Sequence, residues 1–268
     1  MPGVDYFVDS QIAVISLDDA KNGNRLNLEF LQTLLEAIKR AIGEPDARAI
    51  LVRSTAEPFC LGMDLISLTS RPRKDVEEAI EHYISVLAAI YTSDKPVVFL
   101  LDGDVKAGGV GLVCAGDIVL STHKTTFELS EVLFGLIPAN VLPYLFSLRI
   151  SPQKARYLIL TSKRIAADEA FRLGLVDELF REEEFERGVR NILKRLLRSS
   201  PFAMAETKSF TARLIQRDLD DWIQLAREEF LKLTSEESIL DAVMAFDRGD
   251  LPEWFSRYRP RRPLTFSE

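Results

Sequence analysis

The chain has 268 residues and carries 34 Lys and Arg against 41 Asp and Glu, a formal net charge of −7, which argues against a basic nucleic-acid-binding surface. Its 47% hydrophobic and 28% charged residues suit a globular protein of one large domain or two, with a sizeable core. No apolar run approaches the roughly 18 to 20 residues of a bilayer span; even Val97–Leu101 is closed by Asp102. The N-terminal MPGVDYFVDS has neither the basic nor the apolar region of a secretory signal, so the expectation is a cytoplasmic enzyme or binding protein without a membrane partner.

In chain order, the β-branched run 11–17 predicts a strand, and Asn22-Gly23-Asn24 marks a loop. Leu28, Leu31, Leu34, Leu35, Ile38 and Ile42 recur at helical spacing until Gly43. Residues 49–52 read as a buried strand, 75–91 as a helix, 97–101 as a strand opened by Pro96, and 117–121 as a further short strand. Such alternation favours parallel sheets covered by helices. Beyond Pro152 the pattern turns helical: QKARYLIL, DEAFRLG, a charged helix over 182–197, another after Pro201, and a long one over 220–246. The predicted organisation is a core over 1–200, a helical lobe over 201–255, and a tail over 256–268. In that tail Arg257, Arg259, Arg261 and Arg262 form a solvated end or a patch for an acidic partner.

The chain has two cysteines, Cys60 and Cys114, and two histidines, His82 and His123, without the spacing of a metal cluster. No G-x-S-x-G elbow accompanies either histidine. Ala107-Gly108-Gly109-Val110-Gly111 follows a strand and opens a helix. A dinucleotide fingerprint would need glycine at 114, which is Cys114. Small residues at a helix start still expose backbone N–H groups to an oxyanion. The segment FCLGMDL, with Gly62, Met63 and Asp64, is a second glycine-bearing place of this kind, and Asp64 there is also a candidate helix cap. Glu131, in the apolar run FELSEVLFGLIP, is a carboxylate whose surroundings favour desolvation and a raised pKa, the property of a general base working near neutrality.

Together these segments resemble the crotonase (enoyl-CoA hydratase/isomerase) superfamily. FCLGMDL is similar to its first oxyanion segment, DGDVKAGGVGLVCAGDIVLS to its second, and ELSEVLFGLIP to its catalytic-glutamate segment, while NRLNLEFLQTL and LTSKRIAADEAFRLGLVDELF match further stretches. The resemblance implies an α/β fold of ββα turns wound as a superhelix with a C-terminal helical lobe, assembled as a homotrimer or hexamer. It implies oxyanion N–H groups at Met63 and Gly108 and a catalytic Glu131. Gly111 stands where hydratases carry their other glutamate, so hydration by two carboxylates is not expected. With that glycine, K-A-G-G-V-G-L-V and F-x-L-S-E-x-L-F-G-L-x-P-A are similar to the dehydratases of polyketide β-branching cassettes. Those enzymes convert 3-hydroxy-3-methylglutaryl-ACP to 3-methylglutaconyl-ACP. His82, Tyr83 and Asn140 are candidates for handling the leaving hydroxyl, directly or through water, and Lys106 for meeting a distal carboxylate. No metal or redox cofactor is implied, since the phosphopantetheine arm belongs to an ACP- or CoA-borne substrate. An enoyl-CoA isomerase working with one glutamate and a noncatalytic scaffold of the same fold are the alternatives.

Overall fold

The computed structural model describes residues 3–64 and 70–250. Tail arginines 257, 259, 261 and 262, and the helix start expected just after Asp64, lie outside the described residues.

Strands β1 (Val4–Asp9), β2 (Ile12–Leu17), β3 (Ala49–Ser54), β4 (Val97–Leu101), β6 (Ile118–Thr122) and β9 (Glu178–Phe180) form one six-stranded sheet in the order β1-β2-β3-β4-β6-β9. Its pairings are parallel except for the β1–β2 hairpin. A smaller sheet joins β5 (Asp104–Lys106), β7 (Thr126–Glu128) and β8 (Ile165–Ala166). Every residue of β2 is buried, as expected of a strand whose two faces are both covered by protein.

Helix α1 (Leu28–Gly43) begins where the Asn27 side chain accepts a hydrogen bond from Phe30 N–H at 2.9 Å. It packs with α2 (Arg73–Thr92) against one face of the large sheet, and the main core contains Leu31, Leu34, Ile38, Val86, Leu87 and Ile90. On the other face Val189 and Ile192 of α7 (Glu182–Arg198) cover Val14, Leu51, Val98 and Leu120. Between these come α3 (Gly108–Ala115), α4 (Leu142–Leu148), α5 (Pro152–Thr161) and α6 (Ala167–Leu173).

The C-terminal helices depart from the predicted boundaries. A single helix, α8 (Pro201–Leu233), runs through residue 220, and α9 spans Glu237–Asp247. Ser200 caps the start of α8 with Pro201 in its first turn. The sequence around 220 contains neither Gly nor Pro to stop it. The break falls at 234–236, where the Thr234 and Ser235 hydroxyls donate back to the carbonyls of Phe230 and Leu231. Ala226 and Phe230 of α8 and Val243 of α9 join Val76 and Ile80 of α2 and Phe134, Leu136 and Ala139 in a second core, so the end of α8 packs against α2 and the segment that follows Glu131. Among the described residues no helix is long and apolar enough to cross a membrane.

Candidate active site

The segment 60–64 is held on both sides by backbone hydrogen bonds. On one side Leu61 N–H donates to Gly23 O at 2.9 Å and Leu26 N–H to Gly62 O at 2.9 Å; on the other, Lys106 N–H donates to Cys60 O at 2.9 Å. Asn24, fully buried, fixes the approach to this segment, its Nδ2 donating to the carbonyls of Pro58 and Phe59 at 3.1 and 2.9 Å. At the turn, Gly62 has φ +84°, and a Cβ on it would lie 2.8 Å from Ala107 Cβ and 3.0 Å from Gly108 N. Only glycine suits both demands. The contact puts the peptide that carries the Met63 N–H beside that of Gly108.

Ala107 has φ +48° and ψ −122°, an uncommon backbone for a residue with a side chain, at the N-terminus of α3. Its own N–H donates to Glu128 O at 2.9 Å, which holds the turn in place. Neither Met63 N–H nor Gly108 N–H donates to a group among the described residues. Met63 and Gly108 line one cavity of about 420 Å³ together with Glu131, Tyr83, Lys106 and Asn140. Two uncommitted N–H groups, one of them at the positive end of a helix, suit a developing oxyanion.

Glu131 opens the 3₁₀ turn Glu131–Phe134 and is 9% exposed. Its Oε2 has no hydrogen-bond partner among the described residues. Burial, reinforced by Glu128 and opposed by Glu131's own backbone N–H, pushes the carboxyl up to about 7, where both protonation states are populated near neutral pH.

Beside Gly111, where the resemblance puts the family's other glutamate, stands a phenol. Tyr83 is buried, and its hydroxyl donates to Gly108 O at 2.6 Å. A Cβ at residue 111 would lie 2.1 Å from that oxygen, so Gly111 is a consequence of Tyr83. Desolvation raises the Tyr83 pKa well above the ordinary phenol value, and its proton is engaged by the carbonyl. Gly111→Ala is expected to cost about 1–3 kcal/mol by overpacking, and a Tyr83→Phe background, which removes the clashing oxygen, should recover most of that. Thermal melts of the two single variants and the double variant measure this coupling, and additive losses would refute the steric link.

The remaining sequence candidates divide. Lys106 lines the cavity but is paired with Glu128 at 3.0 Å. Asn140 lines it and is buried, with a side-chain oxygen left without a partner. His82 lies on α2 with Nδ1 2.8 Å from Glu78 O and is not a cavity residue. Asp64 borders a small cleft with Leu26, Asn27 and Arg71 instead. Cys60 and Cys114 are free and buried, their thiols pushed up to about 12 by desolvation, as suits packed rather than reactive sulfurs. The cavity also contains residues that the sequence did not single out as site residues: Arg25, Glu128, Ser130, Ile80 and Phe230. Arg25 lies within the matched NRLNLEFLQTL segment, which was its available signal. Phe230, on α8, is distant in sequence from every motif.

The family model for enoyl-CoA hydratase/isomerase matches residues 8–257. The bacillaene synthase dehydratase PksH of Bacillus subtilis (strain 168) is 29% identical over 207 residues, covering 76% of this chain and 78% of PksH. A solved structure of pksH from the same species, named for polyketide biosynthesis, superposes with a TM-score of 0.84 at 25% identity, over 93% of this chain and 98% of that one. The crystal structure of enoyl-CoA hydratase from Bacillus halodurans gives a TM-score of 0.85 at 24% identity, over 91% and 99% of the two chains, and shows the shared crotonase fold. The resemblance read from FCLGMDL, the glycine run and ELSEVLFGLIP thus extends over nearly the whole chain: this protein belongs to the enoyl-CoA hydratase/isomerase family.

Proposed function

We propose that the protein is a dehydratase of 3-hydroxyacyl thioesters, acting on 3-hydroxy-3-methylglutaryl-ACP to give 3-methylglutaconyl-ACP in polyketide β-branching. The observation that carries this reading is a buried, unpaired carboxylate, Glu131, sharing a cavity with two adjacent N–H donors, while the cavity's other carboxylate, Glu128, is paired with Lys106 and the Tyr83 hydroxyl crowds the side-chain position of Gly111. The likeness to PksH adds support. The Met63 and Gly108 N–H groups receive the thioester oxygen as Glu131 takes the C2 proton, giving an enolate. The C3–O bond then breaks, C2 and C3 become doubly bonded, and the proton on Glu131 passes to the departing hydroxide as water, which restores the carboxylate. The phosphopantetheine arm comes with the substrate, and the scheme calls for no cofactor. Arg25, a cation in the cavity wall that is exposed to solvent, suits an acyl group with a distal carboxylate.

A second reading, isomerisation of a 3-enoyl thioester, is favoured by the apolar walls of the same cavity, Ile80, Phe134, Leu136, Ile137 and Phe230. Intact-carrier mass spectrometry with 3-hydroxy-3-methylglutaryl-ACP, its CoA analogue and a 3-enoyl-CoA separates the two. Loss of one water from the ACP substrate is the expected result. If neither hydroxyacyl carrier loses water while 3-enoyl-CoA gains the absorbance of a conjugated thioester, the isomerase reading takes its place.

Assembly is part of the proposal. Phe202, Phe210 and Leu214 on α8 are 75%, 54% and 71% exposed at spacings that share one helical face, an apolar surface of the sort that subunit contacts cover. Sedimentation at micromolar concentration is expected to give a homotrimer or hexamer; a monomer throughout removes this part.

A further inference from the structure

Two polar groups in the cavity wall are left unsatisfied by the protein. Asn140 is 8% exposed and Glu131 9%, and Asn140 Oδ1, like Glu131 Oε2, lacks a hydrogen-bond partner among the described residues. A buried polar oxygen without a partner is costly, and two such oxygens lining one cavity point to a polar ligand group that completes both. Most of the other polar wall residues are already served, and Ser130 is only half-buried. The Tyr83 hydroxyl donates to Gly108 O, Lys106 pairs with Glu128, and Arg25 is exposed to solvent. Asn140 is fixed by its chain setting: Ala139 N–H donates to Ile137 O at 2.8 Å and Val141 N–H to Pro138 O at 3.0 Å. The carboxamide therefore projects from a braced turn between the Glu131 segment and α4.

We propose that Asn140 is a specificity-determining residue whose carboxamide holds the 3-hydroxyl of the acyl group, selecting 3-hydroxyacyl thioesters over acyl or 3-enoyl thioesters that lack it. The assignment rests on the thioester-enolate reading above and makes it narrower. A carboxamide has both a donor and an acceptor. It can orient the hydroxyl while the C–O bond is intact and donate to the oxygen as negative charge develops there. Proton removal at C2 depends on Glu131 and the two N–H groups, and Asn140 takes no part in it.

The two steps are read separately in deuterated solvent: C2 exchange on a thioester with no 3-hydroxyl, and water loss from the 3-hydroxyacyl thioester. Asn140→Leu, close in shape and apolar, is expected to lower dehydration by about 10- to 100-fold, the loss of one buried polar contact. C2 exchange should remain within about threefold of wild type, which also shows that the variant is folded. Asn140→Ser, retaining a hydroxyl, should regain part of the dehydration. Dehydration at the wild-type rate in Asn140→Leu overturns the inference alone, as does an equal loss of exchange and dehydration in both variants, the sign of a residue that merely supports Glu131. A wild-type protein that neither exchanges nor dehydrates overturns the thioester reading and takes this inference with it.

Discussion

Glu131→Gln is expected to lower dehydration by about 10²- to 10⁴-fold, the range for removal of a general acid or base, with substrate binding retained. Glutamine keeps the shape and loses the capacity to accept a proton, and Gly111 leaves no carboxylate at the family's other position to substitute for it. Exchange of the C2 hydrogen with deuterated solvent should stop together with water loss. If exchange persists while dehydration is lost, Glu131 serves only the departing hydroxyl; if both persist at wild-type rates, the assignment is wrong. In the wild-type protein, kcat/KM should rise with pH through about 7 as Glu131 ionises, and that limb should be missing from the variant.

The same substitution has a stability signature of opposite sign. A carboxyl whose pKa is raised on folding, from 4.5 to about 7, supports the folded state fully below pH 4.5. That support fades as pH rises and is gone above about 7, a change on the order of 3 kcal/mol. Glu131→Gln is neutral throughout, so its melting temperature relative to wild type should climb between pH 4.5 and 7.5. A constant difference across that range would show that the carboxyl is not desolvated.

The second large effect is at Gly108. Proline there removes the N–H, and turnover should fall by about 10²- to 10³-fold, the loss of one oxyanion donor. The comparison that gives the experiment its force is Gly108→Ala. Both substitutions add a Cβ, which would meet Leu26 Cδ1 at 3.2 Å and the Tyr83 hydroxyl at 3.4 Å, but alanine keeps the N–H. Proline also constrains the residue before it, and Ala107 already has an uncommon backbone, so melts of both variants belong with the kinetics. Equal losses in the alanine and proline variants would trace the effect to packing and withdraw the donor assignment.

Much of this site could be read from the chain because its parts are local. Gly62 and Met63 are neighbours in sequence, the glycine run lies on one strand-to-helix turn, and Glu131 announces itself as a carboxylate in an apolar run. Helix α1 was equally legible, since its buried stripe repeats at helical spacing. What escaped depended on contacts between distant residues or on unusual turn chemistry. The hairpin of β1 and β2 turns on Ser10 and Gln11, both with positive φ, where sequence rules look for Asn-Gly or Asp-Gly. Strands β5, β8 and β9 have two or three residues each, too few for a period to show. That Tyr83 fills the space above Gly111 joins α2 to α3, and that Phe230 closes the cavity depends on the packing of α8 against α2; neither has a periodic trace. Lys106 was a candidate for substrate, and only the β5–β7 pairing, which brings Lys106 opposite Glu128, discloses its partner.

The interlock of Tyr83 and Gly111 also limits how this cavity can change by mutation. With the tyrosine in place, any side chain at 111 meets an oxygen at 2.1 Å, so a glutamate arriving there alone would be disfavoured before it could contribute chemistry. Truncating Tyr83 to alanine first would open a hole costing about 3–5 kcal/mol, a step few natural proteins can absorb. The passable order is narrow: tyrosine to phenylalanine, which deletes the obstructing oxygen at the cost of its hydrogen bond to Gly108 O, then replacement of the glycine. Random single-substitution libraries should therefore yield no gain of hydratase activity at residue 111, whereas libraries begun from Tyr83→Phe should reach that sequence space in one step.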